Sequence, residues 1–199
     1  MKIIKPSVKI RWVTPNILKT IEEAGRTCYK SENKITEDSA KRFVANLIKN
    51  NHESVLEHGV ISIKIICDRG ILAEITRHRI ASFSVESSRY VSYKNGIEVI
   101  QPPIKDPIAL AKWEASMVHA ENTYKDMIEL GETPEIARGV LPNSLKTEIV
   151  MTTNVREFRH ILKLRSKKGV HPQFIEITKL ILEKFNKVVP ELFGDITCE

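Results

Sequence analysis

Cysteine is scarce: Cys28, Cys67 and Cys198 make an odd number with no paired metal-type spacing, which argues against both a disulfide framework and a zinc site. All three read as free thiols, and no neighbouring feature marks one as an activated nucleophile. Long apolar runs are missing too. The opening Met1-Lys2-Ile3-Ile4-Lys5-Pro6 offers neither an extended hydrophobic stretch nor a small-residue cleavage site, so no signal peptide is expected and a cytoplasmic location follows. The chain shows no repeat, linker or low-complexity segment. His52-Glu53 followed by His58 lacks the four-residue histidine spacing of helix-borne zinc-protease sites, and no metal is expected.

What is present is an ordinary globular composition, 42% hydrophobic and 28% charged over 199 residues, which is neither disordered nor membrane-spanning. A single domain, residues 1–199, is expected. The net charge of +6, 31 basic against 25 acidic residues, suits phosphorylated ligands and equally suits nucleic acid. Basic residues are spread along the whole chain rather than gathered in a tail or one helical stripe, which weakens the nucleic-acid reading.

Apolar spacing predicts a helix from Ile17 to Ala24 stopped by Gly25, and a second beginning at a Thr36 cap with Ala40, Phe43, Val44, Leu47 and Ile48 on its inner face. Val60 to Cys67 reads as a half-buried strand, Asp68-Arg69-Gly70 as a turn, and Ile71 to Arg77 as a helix. Ile97 to Ile100 reads as a strand, and Pro107 to Leu130 as a long helix closed by Gly131 with Trp113, Met117, Ala120, Tyr124 and Ile128 on its buried stripe. Thr133-Pro134-Glu135 starts a short helix with a cap hydroxyl. Leu145 to Thr152 fits strand or helix. A helix with Phe158, Ile161, Leu162 and Leu164 inward carries Arg156, His160 and Arg165, and a last helix covers Gln173 to Val188. An α+β fold, a mostly antiparallel central sheet flanked by helices, accommodates this order.

The densest chemistry lies between Arg77 and Arg89: Arg77-His78-Arg79, then Ser82, Ser84, Ser87 and Ser88, closed by Arg89. Guanidinium forks match phosphate oxygens and serine hydroxyls complete their hydrogen bonding, so the stretch has an anion-binding composition. In a helix, Arg156 and His160 lie four apart on one face, with Arg165 on the following turns, a spacing unfavourable for helix stability alone and suited to an anionic ligand.

Arg-His-Arg, seven residues, Ser87, and Arg89 two further on resembles the signature of flavin-dependent thymidylate synthases. Further blocks keep that family's order: His52-Glu53-Ser54 with Glu57-His58, Ala137-Arg138-Gly139-Val140-Leu141-Pro142, Thr153-Asn154-Val155-Arg156, His160 and Leu164-Arg165. The resemblance implies reductive methylation of dUMP to dTMP, with methylenetetrahydrofolate as carbon donor and FAD, reduced by NADPH, as hydride carrier. It implies that His52, Arg77, His78, Arg79, Val85, Asn154, Arg156 and His160 meet the flavin, with Ser54 reaching it from a neighbouring subunit. Glu74, Arg77, Glu86, Ser87, Ser88, Arg89 and Arg138 surround the nucleotide by the same likeness, and Arg165 contacts the uracil and stabilises its ionised N3. A homotetramer with shared sites follows, and no catalytic cysteine is called for.

Two departures stand out. Ser84-Val85 occupies the place of the family's common Asn-Glu; Val85 brings no polar side-chain contact, and Glu86, one position on, is the candidate to serve instead. Glu74 stands where glutamine is frequent, and a carboxylate, which only accepts hydrogen bonds, would suit the exocyclic amine of a cytosine nucleotide. The alternatives are thus a diverged flavoprotein of this fold acting on another pyrimidine nucleotide, and a nucleic-acid-binding module using Arg77, Arg79 and Arg89.

Overall fold

Short strands alternate with helices of uneven length in the computed structural model, which describes residues 1–198. In chain order the elements are β1 (Lys2–Ile4), β2 (Ser7–Val13), α1 (Ile17–Thr27), α2 (Ser39–Lys49), β3 (Val60–Asp68), α3 (Arg69–Ile75), β4 (Ser82–Val85), β5 (Glu98–Ile100), α4 (Pro107–Glu129), α5 (Pro134–Ala137), β6 (Lys146–Asn154), α6 (Val155–Arg165), α7 (Pro172–Val188) and α8 (Pro190–Phe193). Strands β2, β3, β6 and β4 form, in that order, an antiparallel sheet. Strand β1 pairs with β5 in parallel, Ile3 opposite Val99. This is the expected α+β architecture, with helices around an antiparallel sheet.

Backbone contacts group the chain into two compact units. The first comprises Met1–Ser7, Ile65–Arg77 and Ser84–Ile149. Its core gathers Tyr93, Ile97, Val99, Met117, Tyr124, Ala137 and Leu145, with Trp113 and Ile128 packed against them. Helix α4 starts because Asp106 accepts the backbone N–H groups of Ile108 and Ala109, each at 2.8 Å, ahead of a proline that needs no partner. It ends before Gly131, whose φ of 95° suits glycine. The expected turn at Asp68 is instead a cap: its carboxylate accepts Ile71 N–H at 2.8 Å and α3 begins at once. At α5 the Thr133 hydroxyl makes no cap bond, so proline alone opens that helix.

The second unit comprises Val8–Lys64, His78–Phe83 and the described residues from Val150 onward. Phe158, Phe185 and Phe193 stack in its core, with centroids 5.0 Å and 4.5 Å apart. Gly25 is no stop; it lies buried inside α1, where an added Cβ would sit 2.6 Å from the Phe43 ring. The glycine lets α1 and α2 approach closely. Thr36 is not the cap of α2. Ser39, at its first position, accepts Thr36 N–H at 2.9 Å and donates to Glu22 at 2.7 Å, so the turn is tied to α1 through the serine. Leu164, expected to face inward, is 41% exposed.

Two strands differ from expectation. β3 is mostly buried rather than half-buried, with Ser62 and Asp68 inside beside Ile61, Ile63 and Ile65, so that both faces of the strand are covered along much of its length. The ambiguous segment after Leu145 is strand β6, in which Thr147, Ile149, Met151 and Thr153 are buried in strict alternation.

Candidate active site

In the second unit, β6 passes into α6 at Asn154, whose side-chain oxygen accepts Glu157 N–H at 2.8 Å. Asn154 is therefore the helix cap, and it fixes where the cations of α6 begin. Arg156 and His160 project outward, Arg156 pairing with exposed Glu57. One helical turn beyond, Arg165 is held at two points: its Nε donates to His78 Nε2 at 3.2 Å, and its Cζ lies 4.5 Å over the Phe174 ring. Stacking and hydrogen bond together fix the guanidinium plane.

His78 is 8% exposed and meets Phe174 edge-on at 6.5 Å. To accept at Nε2 it must carry its proton on Nδ1, which lies 3.9 Å from Glu157. Burial first, then the positive charges of Arg165 and His160, press its pKa down to about 4, so the ring is neutral at physiological pH. Burial holds the Glu157 carboxyl above its usual range. Thr153 donates from its hydroxyl to Ile80 O, pinning the segment that carries exposed Arg79.

His52 and Ser54 are exposed on and beside the 3-10 segment Glu53–His58. With Arg26, Phe43 and Asn46 they line a cavity of about 890 Å³. The segment is anchored by Arg159, fully buried, which binds Asp195 at 2.6 Å and 2.7 Å, the Leu192 carbonyl, and Glu53 at 3.3 Å.

In the first unit, Glu74 is half-buried on α3 and Arg77 exposed just past its cap Thr76. Val85 ends β4 at 38% exposure. Glu86 turns inward: its carboxylate accepts from the Tyr93 hydroxyl and from Lys146 Nζ, both at 2.9 Å. The Ser87 carbonyl accepts the N–H groups of Tyr90 and Val91, making a tight turn that holds Ser88 buried and Arg89 exposed. Arg89 donates to both oxygens of Glu135 at 3.0 Å. Arg138, exposed, caps the helix on which Glu135 sits.

Of the flavin candidates, His52, Ser54, His78, Arg79, Asn154, Arg156 and His160 belong to the second unit and Arg77 and Val85 to the first; of the nucleotide candidates, Glu74, Arg77, Glu86, Ser87, Ser88, Arg89 and Arg138 belong to the first unit and Arg165 to the second. Sequence reasoning missed Glu157, Phe174, Arg159, Lys146 and Tyr93. Only Glu157 carried a local signal, three residues after a capping asparagine. The described residues contain no group of three or more His, Cys, Asp or Glu side chains able to hold a metal ion.

A family model described as thymidylate synthase complementing protein matches residues 10–191. The flavin-dependent thymidylate synthase of Pyrococcus abyssi is 32% identical over 182 residues, covering 85% of this chain and 75% of the relative. That of Mycolicibacterium gilvum is 33% identical over 198 residues, covering 88% and 78%. Among solved structures, thymidylate synthase X of Helicobacter pylori with FAD and dUMP has a TM-score of 0.80 at 27% identity, covering 96% of this chain and 98% of its own. A UMP/dUMP methylase of Streptomyces cacaoi bound with 5-Br dUMP, 20% identical with a TM-score of 0.83 over 98% and 96% of the two chains, shares the fold. With a family match from one end to nearly the other and relatives above 30% identity over most of its length, the chain belongs to the thymidylate synthase complementing protein family.

Proposed function

We propose that the protein is a flavin-dependent thymidylate synthase that converts dUMP to dTMP. The observation that carries this reading is the clamped guanidinium of Arg165, stacked on Phe174 and hydrogen-bonded to a neutral His78. A cation fixed in one plane stabilises an imide anion without reorganising during the reaction, which is the electrostatic work needed at uracil N3. Ser87, Ser88, Arg89 and Arg138 bind the nucleotide phosphate.

The donor set of the second unit fits a dinucleotide. Arg79 and Arg156 supply guanidinium groups for a diphosphate and His160 an exposed imidazole, while His52 and Ser54 border a cavity of about 890 Å³ whose lining includes none of these three, within the range of roughly 300–1,000 Å³ that small-molecule sites occupy. When bound, FAD supplies hydride transfer, drawing on NADPH. Methylenetetrahydrofolate gives its methylene to C5 of dUMP, the C5 proton leaves, and the two reducing equivalents complete the methyl group. The products are dTMP, tetrahydrofolate and NADP⁺. Asn154 sets the start of α6, Arg165 orients the pyrimidine, and Ser54 serves the flavin of a neighbouring subunit in a cytoplasmic homotetramer.

A small-molecule site is favoured over a nucleic-acid surface because the guanidinium of Arg165 is held in one plane by buried His78 and by Phe174 instead of being free to follow a phosphate backbone. Glu74, half-buried on α3, supports a second reading in which a cytosine nucleotide is accepted; turnover of dUMP and dCMP side by side decides between them. The test of the main reading is the absorbance spectrum of the purified protein. Flavin bands that persist through gel filtration, together with dTMP formed from dUMP, support it. A protein that stays colourless after incubation with FAD overturns it.

A further inference from the structure

Glu86 and Tyr93 stand seven positions apart, yet the tyrosine hydroxyl donates to Glu86 at 2.9 Å and closes the intervening segment into a ring. Inside that ring lie Ser87, Ser88 and Arg89. Both ends are anchored on other elements: Glu86 N–H donates to Glu148 O on β6 at 2.9 Å, and the Tyr93 backbone N–H donates to the Tyr124 hydroxyl of α4 at 3.3 Å. Lys146, on β6 and only 14% exposed, binds the second oxygen of Glu86 at 2.9 Å and also reaches Glu148 at 2.8 Å. Every one of these groups belongs to the first unit.

The arrangement answers an electrostatic problem that this chain creates for itself. Its carboxylate sits at position 86, directly before the serines, and an uncompensated negative charge there would repel a phosphate dianion. We propose that Tyr93 and Lys146 are positioning residues for the nucleotide: Tyr93 clasps the turn shut and Lys146 neutralises Glu86, so that the Ser87-Ser88-Arg89 turn presents donors rather than a carboxylate to the phosphate. Glu86 therefore belongs to the support of the turn and does not touch the substrate. Lys146 suits the task, since hydrogen bonds and charge from Glu148 and Glu86 outweigh the effect of burial and hold its pKa above the usual value. The inference rests on dUMP being the substrate.

Steady-state kinetics with dUMP, alongside flavin content, test it. Lys146→Met should raise KM for dUMP by at least about tenfold while kcat changes less than about threefold and the flavin stays bound. Lys146→Arg should restore KM to within about threefold. Tyr93→Phe, losing one hydrogen bond, should raise KM about three- to tenfold. The double variant Glu86→Gln with Lys146→Met, which removes both charges, should bind dUMP better than Lys146→Met alone; if the single variant does not fold, Tyr93→Phe measured against wild type carries the test. KM values within twofold of wild type, a fall in kcat and flavin content with KM unmoved, or a double variant no better than the single one overturns the proposal. Wild type inactive on dUMP takes down the functional reading and this one together, whereas an active wild type with unaffected variants removes this network alone.

Discussion

Arg159→Met removes a guanidinium that has no exposed surface and four polar contacts: two to Asp195, one to the Leu192 carbonyl and one to Glu53. Deleting one partner of a buried pair costs about 3–5 kcal/mol. Here the lower end applies, because Asp195 keeps 43% of its side-chain surface in water and Glu53 retains Lys163 at 3.0 Å. About 3 kcal/mol is expected, which for a chain of this size lowers Tm by about 6–12 °C. The loss has a pH signature. Hydrogen bonding to Arg159 holds the Asp195 carboxyl below its usual range, so the stabilisation is complete above the unfolded value of about 3.9 and fades as pH falls through the lower folded value. Burial acts the other way on Glu53, but Lys163 and Arg159 prevail and depress it also. Thermal melts of the two proteins should therefore differ at pH 7 and converge toward pH 3. A Tm within 2 °C of wild type at pH 7, or a gap that survives unchanged at pH 3, refutes the reasoning.

Three further outcomes are expected. Arg165→Ala should retain flavin and lose about 10²- to 10³-fold in kcat, the loss seen when one preorganised donor is removed from a developing anion; unchanged dTMP formation contradicts the assignment. His78, with its folded pKa near 4, resists protonation that the unfolded chain accepts from about pH 6.5 downward, so wild-type stability falls across that window while His78→Gln shows a shallower slope in urea midpoints. Glu135→Gln frees Arg89 from an exposed ion pair worth about 0–1 kcal/mol. KM for dUMP should drop about two- to fivefold at low salt, and the gain should vanish at high salt.

Much of this fold could be read from periodicity because its helices are amphipathic and its long helix carries both punctuation marks, Asp106-Pro107 at one end and Gly131 at the other. The misreadings have a common physical origin. Gly25 looked like a stop because glycine usually ends a helix, and only the approach of Phe43 from α2 shows why it stands inside one. Arg159 carried no local signal, since its partners Glu53 and Asp195 lie 106 and 36 positions away. Strand β4, with no residue fully buried, left no alternation to detect. At the candidate site, residues were picked out by their spacing, whereas Phe174, Glu157, Tyr93 and Lys146 contact them through pairings that no local pattern encodes. Glu86 illustrates the difference: named for a ligand, it is bound by Tyr93 and Lys146.

The most direct measurement of the central claim is product stoichiometry. Flavin-loaded protein incubated with dUMP, methylenetetrahydrofolate and NADPH should yield one dTMP, one tetrahydrofolate and one NADP⁺ per turnover. NADPH oxidation without dTMP, or dTMP accompanied by dihydrofolate in place of tetrahydrofolate, would contradict it.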